Sequence, residues 1–389
     1  MTMNTELQNA LRTLEAEMNA KYINRTEVVH GLLVTLLAKG NCVLLGAAGT
    51  GKSDMIQTLA RAISGQCFET ILTKTSSPEE LFGAYDIRAL QDGQYVRNTE
   101  NTLVDSDIAF VDEIFKSNSA VLNGLLGVMA QRTFRNGSAA PKEIPLQMFV
   151  GASNEMPEGG ADGQLAAMWD RCEMRFIVDY IRDKGSFHRL LNLSSANEPK
   201  TKINMSDIQN AAHEIDEVSL GEAENLIIEL WEAFAREGYK LSDRKWRNSL
   251  RYMKANAWLN GRTALNDEDV SIIKDMAWQS PEQVKAIRKL VFNTLNPAMS
   301  EAQDLFDAAC EIFTQLNAFT DDDVQNQSNY GTTRMGKAVE VNSKLTAAKK
   351  MITTIIINQQ GRNTACLESY VNKLDDMIQE VMKVMLGKK

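Results

Sequence analysis

The stretch that most constrains this chain is Gly46-Ala47-Ala48-Gly49-Thr50-Gly51-Lys52-Ser53, set between the apolar run Cys42-Val43-Leu44-Leu45 and a helix-like segment over residues 54–63. Strand, Gly-x-x-x-x-Gly-Lys-Ser, helix is the context in which a loop wraps phosphate. Glycines let backbone N–H groups curl around phosphate oxygens, and the following helix N-terminus adds positive potential. On this reading Ala48, Gly49, Thr50, Gly51, Lys52 and Ser53 hold a nucleotide. Lys52 reaches the β/γ oxygens, and the Ser53 hydroxyl suits Mg²⁺.

Two later apolar runs end in the groups such a loop needs. Residues 108–113 predict a buried parallel strand whose last positions are Asp112 and Glu113. Asp112 suits a Mg²⁺-bound water and Glu113 the polarising of an attacking water. Residues 148–154 predict another buried strand, and Asn154 at its end can fix the same water beside Glu113. The C-terminal ends of parallel strands are where α/β sheets bind ligands. Upstream, helical spacing over residues 6–19 and 27–37 is interrupted by Tyr22-Ile23, which either packs on an adenine ring or is an ordinary helix-turn contact.

Composition narrows what surrounds the loop. A chain of 389 residues predicts more than one domain, and a formal net charge of −9 argues against a nucleic-acid-binding surface as the main business. The five cysteines form no C-x-x-C pair and there are only three histidines, so no zinc pattern arises. No basic-then-apolar leader and no apolar run of membrane-spanning length is visible, which predicts a soluble, cytoplasmic protein with no membrane span.

The remaining segments read as follows. Residues 68–73 predict a strand, and Ser77-Pro78-Glu79-Glu80 a capped, Pro-initiated helical turn. Hairpins are predicted over residues 85–97, turning at Asp92-Gly93, and over residues 132–146, turning at Asn136-Gly137. From Met205 the pattern is helical without strands. Residues 220–236 carry an apolar stripe, Asn266 precedes an acidic first turn, and Ser280-Pro281 begins a further helix. A helix after Pro297 leads to a polar loop over residues 321–336, then to two heptad-like helices separated by residues 359–363. Those two helices either pack on each other within the chain or bind a partner.

Taken together, Gly46 to Ser53, residues 108–113 and Ala152-Ser153-Asn154-Glu155 resemble the Walker A, Walker B and sensor 1 elements of AAA+ ATPases. Ser77-Pro78-Glu79-Glu80-Leu81-Phe82-Gly83, Phe134-Arg135-Asn136-Gly137 and Ser153-Asn154-Glu155-Met156-Pro157 resemble the MoxR branch, and within it RavA-like ATPases. The resemblance implies an α/β fold: a P-loop core with a parallel sheet between helices over residues 1–200, an all-α lid over 201–296, and a C-terminal helical region over 297–389. It implies ATP with Mg²⁺ bound through Ser53 and Asp112, and ATP hydrolysis that remodels or chaperones a protein partner. It also implies a homo-oligomeric ring, hexameric in the family, whose channel is faced by the two hairpins. A von Willebrand factor A domain partner is implied in the same way. Within Trp169-Asp170-Arg171-Cys172-Glu173-Met174-Arg175 the arginine finger acting on a neighbour's site matches Arg171 first and Arg175 second. Leu241-Ser242-Asp243-Arg244-Lys245-Trp246 resembles the sensor 2 entry, so Arg244 is expected to reach the nucleotide from the lid. A nucleotide-controlled scaffold or switch is the alternative, and a nucleic-acid motor is disfavoured by the acidic charge. Residues beyond 297 depart from the RavA-like pattern.

Overall fold

The computed structural model describes residues 3–157, 165–182, 184–194, 197–318, 334–358 and 365–386. Its chain opens with helices α1 (Thr5–Lys21) and α2 (Thr26–Leu37). Leu7, Leu11, Leu14 and Met18 form the buried stripe of α1, and the Asn4 side chain caps it by accepting from the Leu7 N–H. α2 is apolar nearly all round, as a helix enclosed by the core must be. Its Gly31 lets the Phe176 ring approach to where a Cβ would stand only 2.0 Å away.

Five strands form one parallel sheet in the order β2-β3-β6-β1-β7. They are β1 (Asn41–Leu45), β2 (Cys67–Ile71), β3 (Ile108–Asp112), β6 (Met148–Ser153) and β7 (Met174–Ile177). β1, β3 and β6 are apolar except at Asn41, Asp112 and Ser153 and almost wholly buried, the condition of central strands covered on both faces. The register pairs Leu45 with Ser153 and Ile71 with Asp112, so the strands end almost level. Helices α3 (Lys52–Ala62), α4 (Pro78–Phe82), α6 (Ser119–Gln131), α7 (Ala166–Arg171) and α8 (Lys184–Leu191) complete this part. The expected cap of α4 is present as a reciprocal Ser77–Glu80 capping box.

Of the two expected hairpins the second forms, with β4 (Thr133–Phe134) antiparallel to β5 (Lys142–Glu143). The first is corrected: residues Ile87–Gln91 are a short helix, α5, and only an isolated antiparallel bridge joins Tyr85 to Arg97. Asp86 explains the difference, because its Oδ1 accepts from the Arg88 and Ala89 N–H groups and so caps a helix where alternation suggested a strand. The two inserts are tied together where Asn136 exchanges hydrogen bonds with the Arg97 backbone at 2.7 and 2.9 Å.

The helices after Met205 are α9 (Met205–Asn210), α10 (Ala212–Asp216), α11 (Ala223–Arg236), α12 (Asp243–Leu259), α13 (Asp267–Val270) and α14 (Gln283–Leu295). Asn266 caps α13 as expected, in a capping box with Asp269. α14 begins after Pro281, two residues later than the Ser-Pro signal implies. α12 is the hub of this layer: Trp258, Tyr252 and Met253 are buried, and Gln8 of α1 donates to the Trp258 carbonyl at 2.7 Å. One continuous apolar cluster therefore spans the sheet, α1, α2 and the helical layer. Glu173, just before β7, accepts from Asn248 (2.6 Å), Arg251 (2.5 Å) and the Tyr252 hydroxyl (2.5 Å), joining sheet to helices through a buried carboxylate.

A separate apolar cluster holds α15 (Pro297–Ala318), α16 (Arg334–Asn358) and α17 (Ala365–Met385) together. The two heptad-like helices pack on each other and on α15, with the Phe306 and Tyr370 rings stacked at 4.5 Å. The expected polar loop of 321–336 is shortened at its end because α16 already includes Arg334 to Gly336. Its residues 321–333, and the expected break at 359–363, lie outside the described residues.

Glu173→Ala removes the acceptor on which three α12 donors converge and is expected to cost about 3 kcal/mol. Glu340→Ala, which breaks an exposed pair with Lys344 one helical turn away, leaves the denaturation midpoint unchanged. Urea titrations of the two variants read the contrast.

Candidate functional site

The loop after β1 sits where the sheet order brings β1, β6 and β3 side by side, so the ends of these strands face one region. Gly49 and Gly51 have φ of +79° and +84°, a conformation that only glycine adopts without strain. Gly46 passes so close to β7 that a Cβ would meet the Val178 carbonyl oxygen at 2.2 Å. Three successive carbonyls are held by donors: Lys52 Nζ donates to those of Gly46 (2.6 Å) and Ala47 (3.0 Å), and the Tyr180 hydroxyl to that of Ala48 (2.8 Å). Thr50 Oγ1 closes the turn on the Ala47 carbonyl at 3.0 Å. Lys52 is buried, and that burial lowers its pKa while Asp112 and Glu113 act in the opposite sense. A buried cation beside two carboxylates, in a loop of left-handed glycines, fits the phosphates of a nucleotide with its Mg²⁺.

β3 delivers Asp112 half-buried at its end, where Oδ1 accepts from the Glu113 N–H at 2.9 Å. Glu113 itself turns the chain with φ of +53°, an uncommon conformation for a residue with a side chain. Its buried Oε2 is paired with Lys116 Nζ at 3.3 Å and accepts no hydrogen bond. Asn154 follows directly on β6 and is exposed, presented by a tight turn in which Ser153 Oγ donates to the Glu155 carbonyl and accepts from its N–H. β6 lies between β1 and β3, so Asn154 emerges between Lys52's loop and Glu113's turn.

The arginines separate clearly. Arg171 ends α7 half-buried, donates to Ala167 in its own helix at 3.0 Å, and keeps its Nε without a hydrogen-bond partner. Arg175 lies inside β7, a strand the sequence reading did not foresee, and is 1% exposed. It donates to the carbonyls of Cys172, Trp169 and Trp278, with its guanidinium 4.3 Å from the centre of the Trp169 ring. Arg175 is therefore corrected from a second finger candidate to an internal clamp: its donors are spent within the chain. Arg244, in the first turn of α12, is hydrogen-bonded to Asp170 across from the sheet.

Tyr22 and Ile23 are both buried, and the Tyr22 hydroxyl is committed to α3, at 2.7 Å from both Asp54 Oδ2 and Thr58 Oγ1. The Tyr22 phenol thus supports the helix behind the loop, as an ordinary helix-turn contact does. Tyr180, Asp170 and Lys245 escaped the sequence reading. Tyr180 carries a usable signal, since it follows β7, the strand adjacent to β1, at its ligand-side end.

A family profile described as the MoxR domain in MoxR-vWA-beta-propeller ternary systems matches residues 9–219, more than half of the chain, and one described as an AAA lid domain matches residues 222–291. An uncharacterised protein of Methanocaldococcus jannaschii is 28% identical over 381 residues, covering 97% of each chain. Protein MoxR of Paracoccus denitrificans is 27% identical over 171 residues, 43% of this chain and 50% of its own. A crystal structure from Cytophaga hutchinsonii, of a protein to which ATPase activity is ascribed, superposes with a TM-score of 0.60 at 22% identity, covering 75% of this chain and 96% of its own.

Gly51→Ala meets no neighbour but forces a side chain into left-handed backbone, and is expected to cost about 1–2 kcal/mol. Gly127→Ala, in equally open space on the exposed side of α6 with no positive φ, is expected to gain about 0.5–1 kcal/mol. Thermal melts of both variants separate backbone strain from helix propensity, since neither site is crowded.

Proposed function

The chain belongs to the MoxR family of AAA+ ATPases, and from that premise we propose that it hydrolyses ATP as an oligomeric ring to remodel or chaperone a protein partner. One observation carries the proposal: Glu113 and Asn154 follow directly on the adjacent strands β3 and β6, and Lys52 opens α3 after the loop of left-handed glycines that leaves the neighbouring β1. In this reading Lys52 neutralises charge on the β/γ oxygens, Glu113 takes the proton of the attacking water, and Asn154 orients that water. Ser53 and Asp112 would hold Mg²⁺, which would supply charge neutralisation at the phosphates. Arg171 of a neighbouring subunit completes the site, a role supported by a guanidinium that makes one hydrogen bond, to Ala167 of its own helix, and keeps its Nε unpartnered. Arg244 contributes from the lid.

The domain division at residues 200 and 296, the hexameric ring and a cytoplasmic location belong to the same proposal, as does the RavA-like character read from motif spelling. The tied inserts carry exposed Ile87 and Tyr95, apolar groups suited to gripping a polypeptide in a central channel. A von Willebrand factor A domain protein is the proposed partner, since the family description names such systems.

Glu113→Gln is expected to bind ATP and lose hydrolysis, and light scattering with ATP then reports a ring. Arg171→Ala is expected to lose turnover by about 10³-fold or more, and mixing it with Glu113→Gln subunits restores part of it. A steady-state phosphate-release assay across mixing ratios reads the rescue, and its absence at every ratio would remove Arg171 from the shared site.

A further inference from the structure

Residues 169–175 bind the lid almost one by one. Trp169 Nε1 donates to Gln279 at 2.8 Å, Asp170 accepts from Arg244, Glu173 accepts from three α12 donors, and Arg175 reaches the Trp278 carbonyl. Asp170 differs from the rest in facing two cations from consecutive lid residues. Arg244, 55% exposed, takes its Oδ2, and Lys245, 2% exposed, stands 3.9 Å from its Oδ1. Lys245 Nζ has no hydrogen-bond partner. Burial, reinforced by Arg175, pushes its pKa well down, while Asp170 and Glu173 act in the opposite sense.

A buried lysine whose Nζ makes no hydrogen bond is costly, and α12 has an exposed, hydrogen-bonded arginine beside it. The arrangement makes sense as a reserve. We propose that Asp170 is a positioning residue that holds Arg244 away from the phosphates while the nucleotide site is empty and releases it when ATP binds, Lys245 then replacing it as the counter-ion of Asp170. This rests on the proposed role of Arg244 at the nucleotide. Without Lys245, the departing arginine would strand a half-buried carboxylate. With it, closing a gap of about 1 Å forms a charge-assisted hydrogen bond at ordinary length. The exchange taxes ATP binding, because part of the Arg244 interaction is spent on leaving Asp170.

The test is titration of the full chain in the Glu113→Gln background with fluorescent ATP and ADP analogues in Mg²⁺. Each variant is scored by its ATP-to-ADP affinity ratio, which cancels general losses of folded protein. Asp170→Asn is expected to raise that ratio about tenfold, and the gain disappears when Arg244→Ala is added. Lys245→Met is expected to lower the ratio several-fold without lowering the melting temperature of the nucleotide-free protein. Asp170→Glu, which keeps the charge, stays near the parent. A ratio unchanged in Asp170→Asn, or a gain that survives Arg244→Ala, overturns the exchange while leaving the ATPase reading intact. A parent protein that binds neither nucleotide overturns both.

Discussion

The register of β1 between β6 and β7 is the constraint on which the rest of this structure depends. Parallel pairing at Leu45–Ser153 and Leu45–Ile177, continued to β3 at Val111–Gly151, makes the strands end nearly level. Chemistry-bearing residues more than a hundred positions apart in the chain thus come to one edge of the sheet. A side chain displaced by one residue along a strand would point to the other face, so the burial of β1, β3 and β6 on both faces protects the geometry of the site as well as the core. The glycine loop is subordinate to this: Gly46 can leave β1 only because it carries no side chain against the Val178 carbonyl.

Charge is handled differently at the junction between sheet and lid. Glu173 and Arg175 are buried, and their polar atoms are met by α12 side chains or by carbonyls, as removal from water requires. Such contacts hold two layers at a defined angle, since each depends on geometry that apolar packing alone would not impose. Asp170 and Lys245 depart from this rule. Where a fold leaves a buried amine without a hydrogen bond beside a carboxylate already in use, the surplus points to a second arrangement of the same groups. The C-terminal bundle stands apart, with its own core and links to α14 through surface pairs such as Lys289–Asp304.

Much of this was legible beforehand where local signals agreed. The loop, β3, β6, α6 and the caps of α4 and α13 each combine a periodic apolar pattern with a terminating residue whose chemistry suits the end. Legibility failed where one residue served two patterns. Asp86 and the alternation after it fit a strand, but its side chain caps a helix. Residues 174–177 are too short and too charged at Arg175 to announce a strand, because the carbonyls that satisfy the guanidinium come from Trp169, Cys172 and the distant Trp278.

By itself, then, the sequence determined the phosphate loop, the acid-ended strand, the Asn-ended strand and the change to an all-helical second half, because each is set by residues within one or two turns of one another. Tertiary structure alone decided that Arg175 is internal, that the Tyr22 hydroxyl braces α3, that Arg244 is bonded to Asp170, and that Lys245 is buried 3.9 Å from the same carboxylate. Those outcomes turn on which groups from distant segments reach a side chain first, and on how much water remains around it, and neither quantity is encoded in local spacing.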